Sequence, residues 1–254
     1  MGFLAGKRIL ITGVLSKHSI AYGIAKACHR EGAALAFTYQ NERFLDRINK
    51  FAAEFDSTLV FQCDVAEDTQ IDKLFADLAT HWDGLDGLVH SIAFAPREDL
   101  HGRVTDSSRE GFARAMDISC HSFARMARLA EPLMKGGGSL LAMSYLGAEE
   151  VISNYGLMGP VKAALESTVR YLATELGPQG IRVNAVSPGP LATRAASGIQ
   201  HFDQLLADAA QRAPLRRLVS IDDVGALSTF MASDASRSMT GSTLYVDAGF
   251  HILG

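Results

Sequence analysis

Cysteine is scarce in this sequence. Cys28, Cys63 and Cys120 are odd in number and have no metal-ligand spacing, so neither a disulfide framework nor a zinc ribbon is indicated, and a reducing compartment is expected. The eight histidines form no HExxH or clustered set, and no metal is assigned. No apolar run approaches the ~18 residues of a membrane span. The N-terminus MGFLAGKR carries its charges after its apolar residues, the reverse of a secretion signal, and has Gly6 where a myristoylation motif wants Ser or Thr. Excess charge of one sign is also missing: 24 basic residues stand against 28 acidic, a net of −4, which gives no footprint for nucleic acid. A Pro/Gly/Ser linker, an internal repeat and a low-complexity tract are all absent. A soluble cytoplasmic protein is expected, with no membrane and no nucleic-acid partner.

What is present is apolar and alternating. Apolar residues make up 48% of the 254, enough for a substantial core. Short β-rich runs occur at Lys7–Thr12, Ala34–Tyr39, Thr58–Gln62, Leu85–Ile92, Ser139–Met143, Ile181–Val186 and Thr243–Val246. Helical patterns separate them at Ser19–Gly32, Glu42–Phe55, Thr69–His81, Ser108–Met134, from the Tyr155–Leu157 region through Leu176, and at Ile221–Ser233. Such alternation predicts an α/β chain with one doubly wound parallel sheet of Rossmann type, the whole of 1–254 forming a single domain. Ligands in such sheets bind beyond the carboxyl ends of the strands, where strand order reverses.

The loop from Gly13 to Ala21 joins the first strand to its helix, where unpaired backbone N–H groups and the helix dipole attract phosphate. The three-glycine dinucleotide fingerprint is missing; only Gly13 and Gly23 are present, with Ser19 between them, so an ordinary βα turn stays open as a reading. Gln40 follows the second strand with no cation directly at the strand end, which favours NADH over NADPH, although Arg43 is near enough to swing in. Asp64 follows the third strand and suits either an adenine amino group or a helix cap. His90-Ser91-Ile92-Ala93 ends the fourth strand with small residues that permit close approach of a ligand. Ser144 lacks G-x-S-x-G surroundings, which excludes a serine-hydrolase elbow.

Chemistry concentrates between Leu140 and Lys162, where an apolar strand leads through a loop to a helix. Tyr145, Tyr155 and Lys162 all fall here. Tyr155 and Lys162 are seven residues apart, two turns of a helix, so both can face one side. Pro160 is tolerated in the first turn of a helix starting near Tyr155–Leu157. An ammonium beside a phenol favours the phenolate and makes the hydroxyl a better proton donor. A tyrosine packed beside a surface lysine is the alternative.

Taken in order, Gly13 with Ser19-Ile20-Ala21-Tyr22-Gly23, Asp64-Val65, His90 to Pro96, Ser144 to Glu149, Tyr155 with Lys162, Gly180 to Ala185 and Ala195 to Ile199 resemble the NADH-dependent bacterial enoyl-acyl-carrier-protein reductases. These are a divergent branch of the short-chain dehydrogenases/reductases, and the resemblance runs from Gly2 to Gly249. Ordinary short-chain enzymes space Tyr and Lys four apart with a Ser thirteen before the Tyr; here Ala142 holds that place and Tyr145 lies ten before Tyr155, as in the enoyl reductases.

The resemblance implies NADH-dependent reduction of the trans-2 double bond of an enoyl thioester on acyl carrier protein, in fatty-acid elongation by a homotetramer. It implies that Tyr155 stabilises the developing enolate, that Lys162 holds the nicotinamide ribose, and that Tyr145 lines the acyl pocket. It further implies cofactor contacts from Gly13, Ser19, Ile20, Gln40, Asp64, Val65, Ser91, Ile92, Ala93, Lys162, Leu191 and Thr193. Ala95, Tyr145 and Tyr155 would meet substrate, and a lid would span about 191–206.

Several residues depart from the family pattern. Ser187-Pro188-Gly189-Pro190-Leu191 is closer to ordinary short-chain enzymes, Arg194 replaces a customary Leu, and Gly156 and Pro160 are unusual. Gln200-His201-Phe202-Asp203-Gln204 lacks the basic charge that suits an acidic carrier, with Arg212, Arg216 and Arg217 as candidates to compensate. These departures keep open a carbonyl or alcohol oxidoreductase, a coenzyme A thioester reductase, and a non-catalytic NAD-binding module.

Overall fold

Residues 2–100, 102–191 and 202–253 are described by the structure, a computed structural model. Seven strands form one wholly parallel sheet: β1 (Arg8–Ile11), β2 (Ala34–Tyr39), β3 (Val60–Gln62), β4 (Gly87–His90), β5 (Gly138–Met143), β6 (Ile181–Pro188) and β7 (Thr243–Val246). Their order is β3-β2-β1-β4-β5-β6-β7, so the winding reverses between β1 and β4. The continuous apolar runs are explained by helices on both faces. Ile9 and Ile11 enter one core layer and Leu10 the other.

The first layer holds α1 (Ile20–Arg30), α2 (Leu45–Ala53) and α9 (Ile221–Ala232); the second holds α3 (Asp68–His81), α6 (Ser122–Ala130) and α7 (Met158–Leu176). A short α4 (Arg97–Leu100) precedes α5 (Arg109–Met116), and α8 (Phe202–Arg212) precedes α9. None of these helices is long and apolar enough to cross a membrane. The cysteines are unpaired and buried, and burial pushes the Cys28 and Cys63 thiols up to about 12, which makes them poor nucleophiles.

Three differences from the sequence reading have physical causes. The helical pattern Ser108–Met134 is interrupted: a π-turn at Asp117–His121 separates α5 from α6. Helix α7 begins at Met158, because Gly156 adopts φ +47° and breaks the chain just after Tyr155. Tyr155 therefore lies in the preceding turn, and only Pro160 is placed in the first helical turn as expected. Helix α8 carries the chain past the end of the expected lid; residues 192–201 of that lid lie outside the described residues.

Gly23 does not serve a phosphate loop. A Cβ on it would sit 2.4 Å from the Ile221 carbonyl oxygen, and one on Gly225 would sit 2.5 Å from the Gly23 carbonyl oxygen. Helices α1 and α9 thus meet backbone to backbone. Gly225→Val is expected to cost about 1–3 kcal/mol through overpacking, read from urea unfolding; a loss under about 0.5 kcal/mol, the range of ordinary surface changes, would mean the helices part freely there.

Candidate functional site

The β1 turn and the end of β4 are pressed together. Gly13 has φ +85°, and a Cβ there would lie 2.0 Å from the Ser91 carbonyl oxygen, so both conformation and proximity require glycine. Thr12 Oγ1 donates to the Val89 carbonyl at 3.0 Å and accepts from the Ser91 amide at 3.3 Å. Ser19 Oγ is turned back into the loop, accepting from the amides of Leu15 (3.1 Å) and Ser16 (3.0 Å) rather than capping α1. The amides of Ile20 and Ala21 therefore donate to no described side chain or carbonyl at the positive end of the helix.

Beside this turn lies a cleft of about 310 Å³. The turn contributes Gly13, Ser19 and Ile20; β2 ends into it with Gln40, and Asp64 and Val65 follow β3. Its opposite wall is Ser91, Ile92 and Ala93 beyond β4, with Ile118 from the π-turn. Gln40 Nε2 donates to Asp64 Oδ2 at 3.0 Å, and Asp64 Oδ1 accepts from the Ala66 amide at 3.1 Å. Asp64 is thus not the cap of α3, whose N-cap position is Glu67. Arg43 stacks on Phe44 with its guanidinium carbon 4.6 Å from the ring centre, and Arg47 Nη1 donates to the Leu15 carbonyl at 3.3 Å.

The π-turn holds the end of β4 in place. Ser119 Oγ accepts from the Phe94 amide at 2.9 Å and donates to the Phe94 carbonyl at 3.0 Å. Ser122 Oγ donates to the Ile118 carbonyl at 2.6 Å and lies 2.7 Å from His90 Nε2. With its proton already committed, Ser122 must accept, which assigns the proton of neutral His90 to Nε2. His90 Nδ1 is left buried without a partner, and burial, with Lys162 nearby, pushes the imidazole down to about 3.

Tyr145, Tyr155 and Ala95 come together as expected. The two phenol rings lie 4.8 Å apart between centroids at 60°, and Ala95 packs against the same small core. Lys162 is 4% exposed, and its Nζ donates to the Met143 carbonyl at 2.6 Å, where β5 ends. This overturns the expected electrostatics. Tyr155 is not drawn toward the phenolate by Lys162; burial, with Tyr145 and Glu166, pushes its hydroxyl well above the usual range. Burial likewise raises Tyr145 to about 12. Leu191 is buried in the first core layer, 9% exposed, while Thr193 and Arg194 lie outside the described residues.

Sequence reasoning missed Glu166. It is 5% exposed, its carboxylate accepts from Ser144 Oγ, and burial holds its carboxyl above the usual range. Its spacing of four from Lys162 on α7 was the available signal, since it places both on one helical face. Arg212 and Arg217 are paired with Asp208 (3.4 Å) and Asp223 (3.2 Å) at the surface, and Arg216 donates to the Gln211 carbonyl.

The Lys162 ammonium is held down to about 8 by burial, only partly offset by Cys120 and Glu166. From about 8 up to the ordinary lysine value near 10.4, the unfolded chain binds a proton that the folded chain has lost. Stability from this group therefore rises with pH across that window, and the full cost of the buried ammonium stands below it. The unfolding free energy of the wild type minus that of Lys162→Met should grow by on the order of 3 kcal/mol across the window. A pH-independent difference in denaturant titrations would show that the amine is not buried as described.

The sequence profile described as Enoyl-(Acyl carrier protein) reductase matches residues 13–251. The enoyl-[acyl-carrier-protein] reductase [NADH] of Escherichia coli strain K12 is 53% identical over 253 residues, covering 99% of this chain and 97% of that protein. The enzyme of the same description from Neisseria meningitidis serogroup B is 54% identical over 254 residues, with the same coverage. The crystal structure of the Anaplasma phagocytophilum reductase in complex with NAD is 45% identical, covers 100% of this chain and 97% of that one, and superimposes with a TM-score of 0.97. With its cleft, its paired phenols and its buried lysine, this chain belongs to the enoyl-(acyl carrier protein) reductase family.

Proposed function

We propose that this chain is an NADH-dependent reductase of the trans-2 double bond of enoyl thioesters carried on acyl carrier protein, serving fatty-acid elongation. The observation that carries the reading is the cluster of Tyr155, Tyr145 and Ala95 directly beyond the strand end that walls the cleft. The cleft fits a dinucleotide: a glycine no other residue can replace lets the β1 turn approach β4, and two unpartnered amides suit a pyrophosphate. Gly13, Ser19 and Ile20 would hold that group, Gln40 the adenosine ribose, Asp64 and Val65 the adenine, and Ser91, Ile92 and Ala93 the opposite face. Leu191 and Thr193 are assigned to the nicotinamide end. Gln40, an uncharged side chain at the end of β2, suits a free ribose hydroxyl, which favours NADH over NADPH.

Bound NADH supplies hydride for the β-carbon of the thioester. The protein's part is to stabilise the oxygen that gains charge. A Tyr155 hydroxyl pushed up by burial keeps its proton and so donates a hydrogen bond to the thioester oxygen as the enolate forms. Lys162 gives one donor to Met143 and keeps two of its three for the ribose hydroxyls, with its charge favouring the same oxyanion. Tyr145, packed on Tyr155, walls the acyl pocket and orients the thioester.

The whole of 1–254 acts as one catalytic domain, with 191–206 as its lid, in a cytoplasmic homotetramer. Exposed Phe112 on α5 and Tyr171 on α7 are the kind of surface such an assembly would cover. A coenzyme A thioester is the second reading, because Gln200-His201-Phe202-Asp203-Gln204 carries no lysine or arginine to steer an acidic carrier.

Absorbance assays of NADH and NADPH with crotonyl thioesters of both carriers test these statements. Tyr155→Phe should lower kcat/KM by about 100- to 1000-fold, the effect of removing one oxyanion donor, and Lys162→Ala should also raise the KM for NADH. Undiminished turnover in both variants removes these assignments, and reduction of β-ketoacyl but not enoyl thioesters would point instead to an ordinary short-chain carbonyl reductase.

A further inference from the structure

The cleft has two charged side chains among its described lining residues, Asp64 and Arg114. Asp64 is occupied by Gln40 and the Ala66 amide. Arg114 forms no ion pair with a described carboxylate; its guanidinium carbon rests 5.2 Å from the centre of the Phe94 ring, which is itself 41% exposed. That is a weak hold, since a cation on an exposed aromatic face gains little over water. Arg114 stands one turn before Ile118, so the face of α5 that continues into the cleft wall also presents the cation. On the other side, the β1 turn offers two neutral amides. A dinucleotide pyrophosphate carries two negative charges, and amides with a helix dipole offset only part of them.

We propose that Arg114 is a further cofactor-binding residue, exchanging its stack on Phe94 for a charge-assisted, bidentate contact with the pyrophosphate of the bound dinucleotide. The inference rests on the reading of the cleft as a dinucleotide site. Phe94 is the resting place of the side chain: Ser119 holds its backbone from both amide and carbonyl, so the ring stays beside the cleft and keeps the guanidinium near the ligand. Binding then requires a swing of one long side chain and no movement of the main chain.

Equilibrium titrations of the full chain with NADH, ADP and adenosine separate the contributions. Arg114→Gln should weaken NADH and ADP about tenfold, the scale of one charge-assisted hydrogen bond, and leave adenosine unchanged. Arg114→Lys should recover part of the loss, and added salt should shrink the gap between wild type and Arg114→Gln. Circular dichroism of both variants checks that the fold is retained. Unchanged NADH affinity overturns the proposal. So does an equal loss for adenosine, which would put the guanidinium on the base, or a loss confined to the KM for the thioester, which would assign it to substrate. A wild type that binds NADH but reduces no enoyl thioester would sink the enzymatic reading while leaving Arg114 testable. One that binds neither NADH nor ADP would sink both.

Discussion

The segment from Ser91 to Ala95 serves two sites at once, and its position rests on a defect in a helix. Ser91, Ile92 and Ala93 wall the cleft, and Ala95 packs with the phenols one step further on. Nothing in a short strand fixes the chain after its last ladder bond. Here the π-turn at Asp117–His121 does so: Ser119 within it meets the Phe94 backbone, and Ser122, the first residue after it, meets His90. From the other side Thr12 and Gly13 press against Val89 and Ser91. The same short segment therefore holds the cleft wall and the phenol cluster in place relative to each other.

Burial dominates the electrostatics of this region, and it acts in one direction. It raises Tyr145, Tyr155 and Glu166 and lowers Lys162 and His90, in every case toward the neutral form. A phenol that resists ionisation is a poor acid but a durable hydrogen-bond donor. That suits a reaction in which charge appears on substrate oxygen only in passing. The lysine stays charged near neutral pH, and Glu166 four residues on opposes its loss of the proton. The pairing of Ser144 with Glu166 ties the end of β5 to α7 next to the carbonyl that anchors Lys162.

Strand positions were legible where both ends carried a signal. Ala34–Tyr39 and Thr243–Val246 match their expected bounds, each stopping where polar or acidic residues begin. Of the cleft's lining residues, Gly13, Ser19, Ile20, Gln40, Asp64, Val65, Ser91, Ile92 and Ala93 were named from the family resemblance and from their place after strand ends, whereas Arg114 and Ile118, brought in by the α5 region, were not. Less visible was the break within Ser108–Met134, because a π-turn keeps the apolar residues on nearly the same face and leaves the periodicity intact. The start of α7 falls just past the late end of the expected Tyr155–Leu157 region, because the left-handed Gly156 keeps Tyr155 out of the helix.

By itself the sequence determined the alternation of strands and helices and the parallel sheet, and it singled out Tyr145, Tyr155, Lys162 and the strand-end residues as candidates. Those follow from local periodicity and from residue identity. Only the tertiary structure decided what surrounds each group: that Lys162 donates to the Met143 carbonyl, that burial pushes the Tyr155 hydroxyl above its usual range, and that Glu166 is buried on the same helix. The reason is that a titration depends on how much water reaches a group and which dipoles face it, and both are set by residues distant in the chain.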